Sequence, residues 1–381
     1  MKFITLIILS LIFSCGNKTE TEKNNYTKIK AKKSTYFATG EVGASVNYRG
    51  YIGVLENETI EQKKKMNVYT SGVMFAKEHG GNIEASMAWY QLNLKSISGE
   101  DTLGIYHVRK DDVLTLDPNE WKRKHGPVYA DGSIKVYGDE MVWMSLQADN
   151  SFTESLQKKP VQDVRLEQAV YTFNRPELQN TYFIRYDFTN IGTSELKNLY
   201  TGFYHDPDVV NYLNNHASFD QENEIVYYVG KDSTKNEYTV IGYTFLLAPK
   251  VSQSNYGVNS SREMFLPGNS EFNEPNEIGD PKHILNMLKG LSNSGQSMKN
   301  PITNENSRYA YTGDIVAETG WRSGAKDIRG ILGAEPIDLQ VNETKSLVIC
   351  YVQHKSTSLQ DAIDAMKAQI KLMRLDQSIL E

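Results

Sequence analysis

Two cysteines in 381 residues exclude a disulfide-stapled scaffold and any zinc site built on several thiolates. Basic charge is also scarce: 41 Lys and Arg stand against 47 Asp and Glu, a formal net charge of −6. That balance gives no electrostatic reason to expect a nucleic-acid partner, which normally needs a basic face. The longest apolar run, Phe3 to Phe13, falls short of the roughly 20 residues that a bilayer-spanning helix needs. There is no phosphate-cradling loop, no dinucleotide fingerprint and no Gly-x-Ser-x-Gly elbow, so no complete catalytic motif is present. With 39% hydrophobic and 23% charged residues, the chain has the composition of an ordinary globular protein. Its length suits one large β-rich body or two smaller lobes.

The N-terminus carries an address. Met1-Lys2, an apolar stretch and then Ser14-Cys15-Gly16 follow the order of a secretory signal. Cys15 directly after Ile12-Phe13-Ser14 resembles the lipobox of bacterial lipoproteins, in which the cysteine becomes the lipidated mature N-terminus. Residues 1–14 are therefore expected to be a signal peptide and Cys15 to carry a covalent lipid that holds the protein to a membrane. Each buried methylene of an acyl chain contributes about 0.8 kcal/mol to such anchoring. Residues 15–35 are polar, with little to bury, and are expected to form a flexible tether. The expected location is the cell envelope, on the outer membrane.

From residue 36 to 355 the pattern is that of strands. In Thr181–Thr189 the positions Tyr182, Ile184, Tyr186 and Phe188 alternate with Arg185, Asp187 and Thr189, the signature of a half-buried strand. Similar runs at 68–76, 85–94, 135–146, 166–173, 196–204, 224–229, 238–247 and 347–352 predict an all-β, mainly antiparallel sandwich. Cys350 lies in the last of these and is expected to be a buried small hydrophobe. Two helices are predicted. A short one over 283–289 has Asp280 as N-cap, Pro281 at its first position and Gly290 at its end. A C-terminal amphipathic helix over 358–375 has Leu359, Ile363, Met366, Ile370 and Met373 on one face. Residues 251–278, rich in Ser, Asn, Gly and Glu, predict a long loop.

The densest polar constellation follows the strand ending in Tyr204: His205, Asp206, Asp208, Asn211, Asn214, Asn215, His216 and Asp220. Carboxylates at i and i+2 with further oxygens beyond suit a hard cation, so Asp206, Asp208 and Asp220 are candidate Ca²⁺ ligands. A polar loop of Asx turns accounts for the same residues. Paired carboxylates for glycoside chemistry must meet across a cleft, and Asp139, Glu140, Asp149 and Asp206 are the candidates. Trp321, next to Gly320, and Trp121 are candidate sugar-stacking platforms, with a core role as the alternative for each; Trp143 is expected in the core. Asp327 and Arg329 suit an ion pair that braces their loop.

Several of these strings occur together: Gly138-Asp-Glu-Met-Val-Trp143, Tyr182 to Asn190, Leu199 to Asp208, Gly242-Tyr-Thr-Phe245, Gly313-Asp314, Thr319-Gly-Trp321 and Asp327-Ile-Arg329. Their order resembles that of exported, β-rich envelope and extracellular proteins of polysaccharide-degrading Gram-negative bacteria, whose activities are mostly unknown. The resemblance spans roughly residues 40–370 and implies an exported sandwich with the Asp206/Asp208 loop as a shared feature. The expected function is a lipid-anchored envelope protein that binds a glycan or another envelope protein without catalysis. The alternatives are a polysaccharide-active hydrolase or lyase using loop carboxylates, and a structural component of an envelope complex docking through the C-terminal helix.

Overall fold

The computed structural model describes residues 31–54, 58–89, 94–96, 104–123, 125–148, 159–265, 271–275 and 279–381. Cys15, the signal segment, most of the tether and Asp149 lie outside the described residues.

Two antiparallel sheets carry the fold. In spatial order the first runs Ser34–Thr39, Val42–Asn47, Ile52–Gly53, Val68–His79, Leu196–Pro207, Ile328–Ala334 and Val258–Phe265. Asn82–Met87 joins it beside Val68–His79, and Ile337–Leu339 beside Leu196–Pro207. The second runs His216–Asp220, Ile225–Asp232, Glu237–Leu247, Thr344–Ser356, Thr181–Asn190, Val164–Thr172, Glu140–Gln147 and Lys95–Ser96, with Tyr106–Arg109 also on Glu140–Gln147. The alternation legible in Thr181–Thr189 sets how the sheets meet. Tyr182, Ile184, Tyr186 and Phe188 face inward and join Phe37, Val73, Phe75 and Phe203 of the first sheet in one core. Edge-on ring pairs cross the interface, Phe75 on Phe188 at 5.8 Å and Phe37 on Tyr182 at 5.5 Å. Each fully buried apolar side chain contributes about 1.5–3 kcal/mol to holding such layers together.

Helices cover the two outer faces in part. Leu359–Leu375, N-capped by Ser358, buries Ile363, Met366, Ile370 and Met373 against Tyr227, Val240, Cys350 and Val352 of the second sheet. Gly242 makes that close approach feasible, because a Cβ there would stand 2.4 Å from Met366 Sδ. Pro281–Leu288, capped by Asp280, packs Ile284, Leu285, Met287 and Leu288 on Met74, Ala76, Met87 and Ile331 of the first sheet. Burial pushes the Cys350 thiol up to about 12, so it behaves as a hydrophobe. Trp143 is likewise a core residue.

The structure departs from the sequence expectation in several places, and the strand expected over 85–94 runs instead over Asn82–Met87. The strand expected over 135–146 begins at Glu140, because Gly138 turns the chain at φ +66°. Within the loop expected over 251–278 lies the strand Val258–Phe265, whose polar composition conceals it. Short helices at Ile60–Lys63 and Pro118–Arg123 add to the two expected helices.

Candidate functional site

Asp206 and Arg329 come together because their strands are neighbours. His205 pairs with Gly330 across the antiparallel ladder, so Asp206, which follows His205, lies beside Arg329, which precedes Gly330. Arg329 Nε donates to Asp206 Oδ2 at 3.1 Å and lies 3.4 Å from Glu274, while its Nη1 stands 3.6 Å from Asp327. The expected Asp327–Arg329 brace is therefore part of a larger cluster, with four carboxyl groups, Asp208 included, around one guanidinium. Burial raises the Asp206 carboxyl well above its ordinary range against the pull of Arg329, and Asp208 and Asp327 add to the rise. Asp208 is pushed up to about 6, first by burial and then by Asp327. These are the directions expected when like charges share a partly desolvated recess.

Behind this cluster, on the inner face, lies a second polar group. His205 Nε2 is 2.8 Å from the Tyr228 hydroxyl, and burial drives its imidazole down to about 3. Gly330, one strand over, leaves room for that hydroxyl, since a Cβ there would stand 2.0 Å from it. Glu263, the next position across the ladder, is fully buried, accepts from Ser261 at 2.9 Å and is pushed up to about 8 by desolvation.

The remaining sequence candidates disperse. Asp220 belongs to the second sheet and is held by Lys367 at 2.6 Å and by Asn223, so the expected Asp206, Asp208 and Asp220 ligand set does not assemble. Among the described residues no three His, Cys, Asp or Glu side chains are arranged to hold a metal ion. The cation facing Asp206 is Arg329 of the chain itself. Trp121 is not an open platform: it is 1% exposed, packs on Tyr106 and Trp143, and donates from Nε1 to the Pro127 carbonyl at 2.8 Å. Trp321 is half-buried, edge-on to Tyr311 at 5.5 Å. Asp139 and Glu140 line a cleft of about 390 Å³ with Arg109 and Asp111. There His107 bridges Thr35 and Glu140 and holds the Glu140 carboxyl below its usual range.

Two carboxylates that face each other lie elsewhere, on strands. Glu167 and Asp187 are directly opposed across the ladder joining Val164–Thr172 to Thr181–Asn190. Each has an arginine two residues before it on the same strand. Arg165 Nε donates to Glu167 at 2.5 Å, and Arg185 Nε donates to both Asp187 oxygens at 2.9 and 3.0 Å. Ser346, opposite Asp187 on the next strand, adds a 2.6 Å hydrogen bond, and Arg185 Nη2 in turn donates to Ser346. Both carboxylates line an open cleft of about 420 Å³. Buried Trp143, Tyr137 and Ala169 form its floor, Thr189 and Thr344 supply hydroxyls, and Lys122 and His125 to Val128 form a rim.

The electrostatics of the cleft are uneven. Glu167 is raised from the ordinary glutamate range by desolvation, with Asp187 contributing in the same direction and Arg165 opposing. His125, held at φ +61°, is lowered by burial and by Arg165. Like charges directly opposed on a sheet destabilise it, so this pair is a local cost that the flanking arginines offset. Sequence reasoning missed these residues. The available signal was a repeated pattern, Arg165-Leu-Glu167 and Arg185-Tyr-Asp187, on neighbouring strands.

The chain matches no family model and no curated protein. Among solved structures it is similar to a bacterial glucoamylase complexed with acarbose, at 10% identity and a TM-score of 0.40, covering 94% of this chain and 37% of that one. It is similar to the Slr1438 protein from Synechocystis sp. PCC 6803 at 7% identity and a TM-score of 0.34, covering 87% and 99%. A third is a putative aldose 1-epimerase from Escherichia coli K12, at 8% identity and a TM-score of 0.30, covering 84% and 99%. The chain thus spans little more than a third of the glucoamylase. TM-scores this low carry no weight for function.

The buried acids set a pH dependence. An acid whose folded pKa stands above its unfolded value keeps its proton in the native state after the unfolded chain has lost it, so stability falls as pH rises between the two values. For Asp208 that window runs from 3.8 to about 6, and for Glu263 from 4.5 to about 8. His205 acts oppositely, costing stability as pH falls from 6.5 towards 3. Between 6.5 and 8 the His205 effect is spent, and stability is expected to decline by at most roughly 1.4 kcal/mol per pH unit for each proton retained. Urea unfolding across that range should show the decline in the wild type and a flatter profile in Glu263→Gln. Equal slopes in the two proteins would contradict the assignment.

Proposed function

We propose that the protein is a lipid-anchored component of the cell envelope that binds a polysaccharide in the Glu167–Asp187 cleft. One observation carries the reading: an open cleft of about 420 Å³ sets carboxylates, hydroxyls and cationic side chains over a floor of buried Trp143 and Tyr137. Sugar rings present apolar C–H faces and a girdle of hydroxyls. The fixed carboxylates, hydroxyls and cations of the cleft answer that girdle of hydroxyls. Arg165 and Arg185 hold the carboxylates in place before any ligand arrives, which limits the ordering cost of binding.

The anchor rests on sequence. Cys15 follows an apolar run too short to span a bilayer, and the polar segment after it gives the folded body reach from the membrane. A protein held in this way meets glycans at the envelope surface or within the periplasm.

Two experiments test the two halves. Full-length protein is applied to an array of immobilised neutral and acidic polysaccharides, beside Thr189→Trp, which fills the cleft, and Trp321→Ala, which removes the half-buried indole. Retention of the wild type and of Trp321→Ala, with loss in Thr189→Trp, is the expected pattern. Loss in Trp321→Ala with retention in Thr189→Trp would move the site away from the cleft. For the anchor, Cys15→Ala is expected to leave the membrane fraction on washing, and its persistence there would overturn the lipid assignment.

A further inference from the structure

The two arginines that hold the cleft carboxylates differ in what they have left to offer. Arg185 is fully spent: Nε donates to both Asp187 oxygens, Nη1 to the Leu380 carbonyl at 3.2 Å and Nη2 to Ser346 at 2.7 Å. Arg165 is not. Its Nε donates to Glu167, while Nη1 and Nη2 have no hydrogen-bond partner among the described residues. The side chain lines the cleft and is 26% exposed, so these donors are open to a ligand. Lys122, on the rim, is exposed and forms no ion pair among the described residues. We propose that the cleft selects acidic polysaccharides, the ligand's carboxylate or sulfate being held by the Arg165 fork and by Lys122. This inference rests on the glycan-binding reading of the cleft and adds the class of ligand to it.

Pairing decides the sign of the charge that a ligand meets. Lys122, Arg165, Glu167 and Asp187 are the charged side chains of the lining. Arg165 compensates Glu167, and Arg185, from outside the lining, compensates Asp187. Lys122 is left over, so the uncompensated charge is positive. Burial and Asp187 both shift Glu167 towards its protonated form, which lessens its repulsion of an incoming anion. The Arg165 charge is felt at the rim as well, where it adds to burial in lowering His125. Thr189, directly opposite Arg165 on the next strand, places a hydroxyl beside the fork.

The donor geometry favours an anion over a neutral sugar. A guanidinium presents N–H groups in one plane, a fork that matches two oxygens of a carboxylate or sulfate. A single sugar hydroxyl offers one oxygen and no charge, so it uses that fork poorly. Lys122 contributes a solvated point charge, whose share is screened as salt rises.

The test uses the full chain and matched pairs of polymers. One pair is a uronic-acid polysaccharide and the same polymer with its carboxyl groups reduced to alcohols; the other is a sulfated polysaccharide and its desulfated form. The acidic member of at least one pair is expected to bind about tenfold or more tighter than its neutral counterpart at low salt. Which pair shows the difference identifies carboxylate or sulfate as the group held. Lys122→Glu should lose about fivefold in affinity for the acidic polymer and none for the neutral one, with an unchanged melting temperature. Arg165→Lys, which keeps the charge and loses the fork, should weaken the acidic polymer by about tenfold. Equal binding of both members of both pairs would overturn the inference and leave the glycan-binding reading intact. Acidic binding unchanged in Lys122→Glu would overturn it equally. Failure of every polymer to be retained would remove the glycan-binding reading and this inference with it.

Discussion

The register between Val164–Thr172 and Thr181–Asn190 is the constraint on which the rest depends. Side chains alternate along a strand with period two, so a slip of one residue would exchange the two faces of the sheet. Here the inward set is Tyr182, Ile184, Tyr186 and Phe188, which the sandwich core holds. Burying that set leaves Arg185, Asp187 and Thr189 no choice of face. The same ladder sets Glu167 opposite Asp187 and Arg165 opposite Thr189. The cleft is therefore a consequence of core packing on the other side of the strand. Its position is as rigid as the sheet.

Buried charge is treated differently in the two regions where it gathers. In the cleft each carboxylate has its own arginine, so two opposed acids persist at a tolerable cost. Around Arg329, one guanidinium serves Asp206, Glu274 and Asp327, and the surplus is resolved by proton retention. Asp208, pushed up to about 6, is the member of that cluster poised to change charge near neutrality. The first arrangement fixes two acids in place on one face of the sheet. The second makes a brace between strands whose strength responds to acidity.

Much of the fold was legible because its signals are local. The alternation in Thr181–Thr189, the Asp280–Pro281 helix start and the apolar stripe from Ile363 to Met373 each lie within one segment. Val258–Phe265 was not legible, because a strand carrying Ser260, Ser261, Arg262 and Glu263 looks like a loop. Several of its polar groups are satisfied by distant partners: Ser260 by the Leu288 carbonyl, and Arg262 by the Leu291 carbonyl and Asn293. The candidate site was hidden for a related reason. Asp206 and Arg329 are 123 positions apart and meet through strand order, while Glu167 and Asp187 meet through register. Neither relation is written in spacing along the chain. Glu167 and Asp187 sit on strands, whereas the acids that stand out along the chain sit at strand ends and in loops.

The central claim is that Glu167 and Asp187 form one electrostatic unit in a desolvated cleft. Carbon-detected NMR titration of the Glu167 carboxyl, in the wild type and in Asp187→Asn, tests it most directly. The account predicts a Glu167 midpoint above the ordinary glutamate value that falls when Asp187 loses its charge. A midpoint at the ordinary value, unmoved by Asp187→Asn, would contradict it.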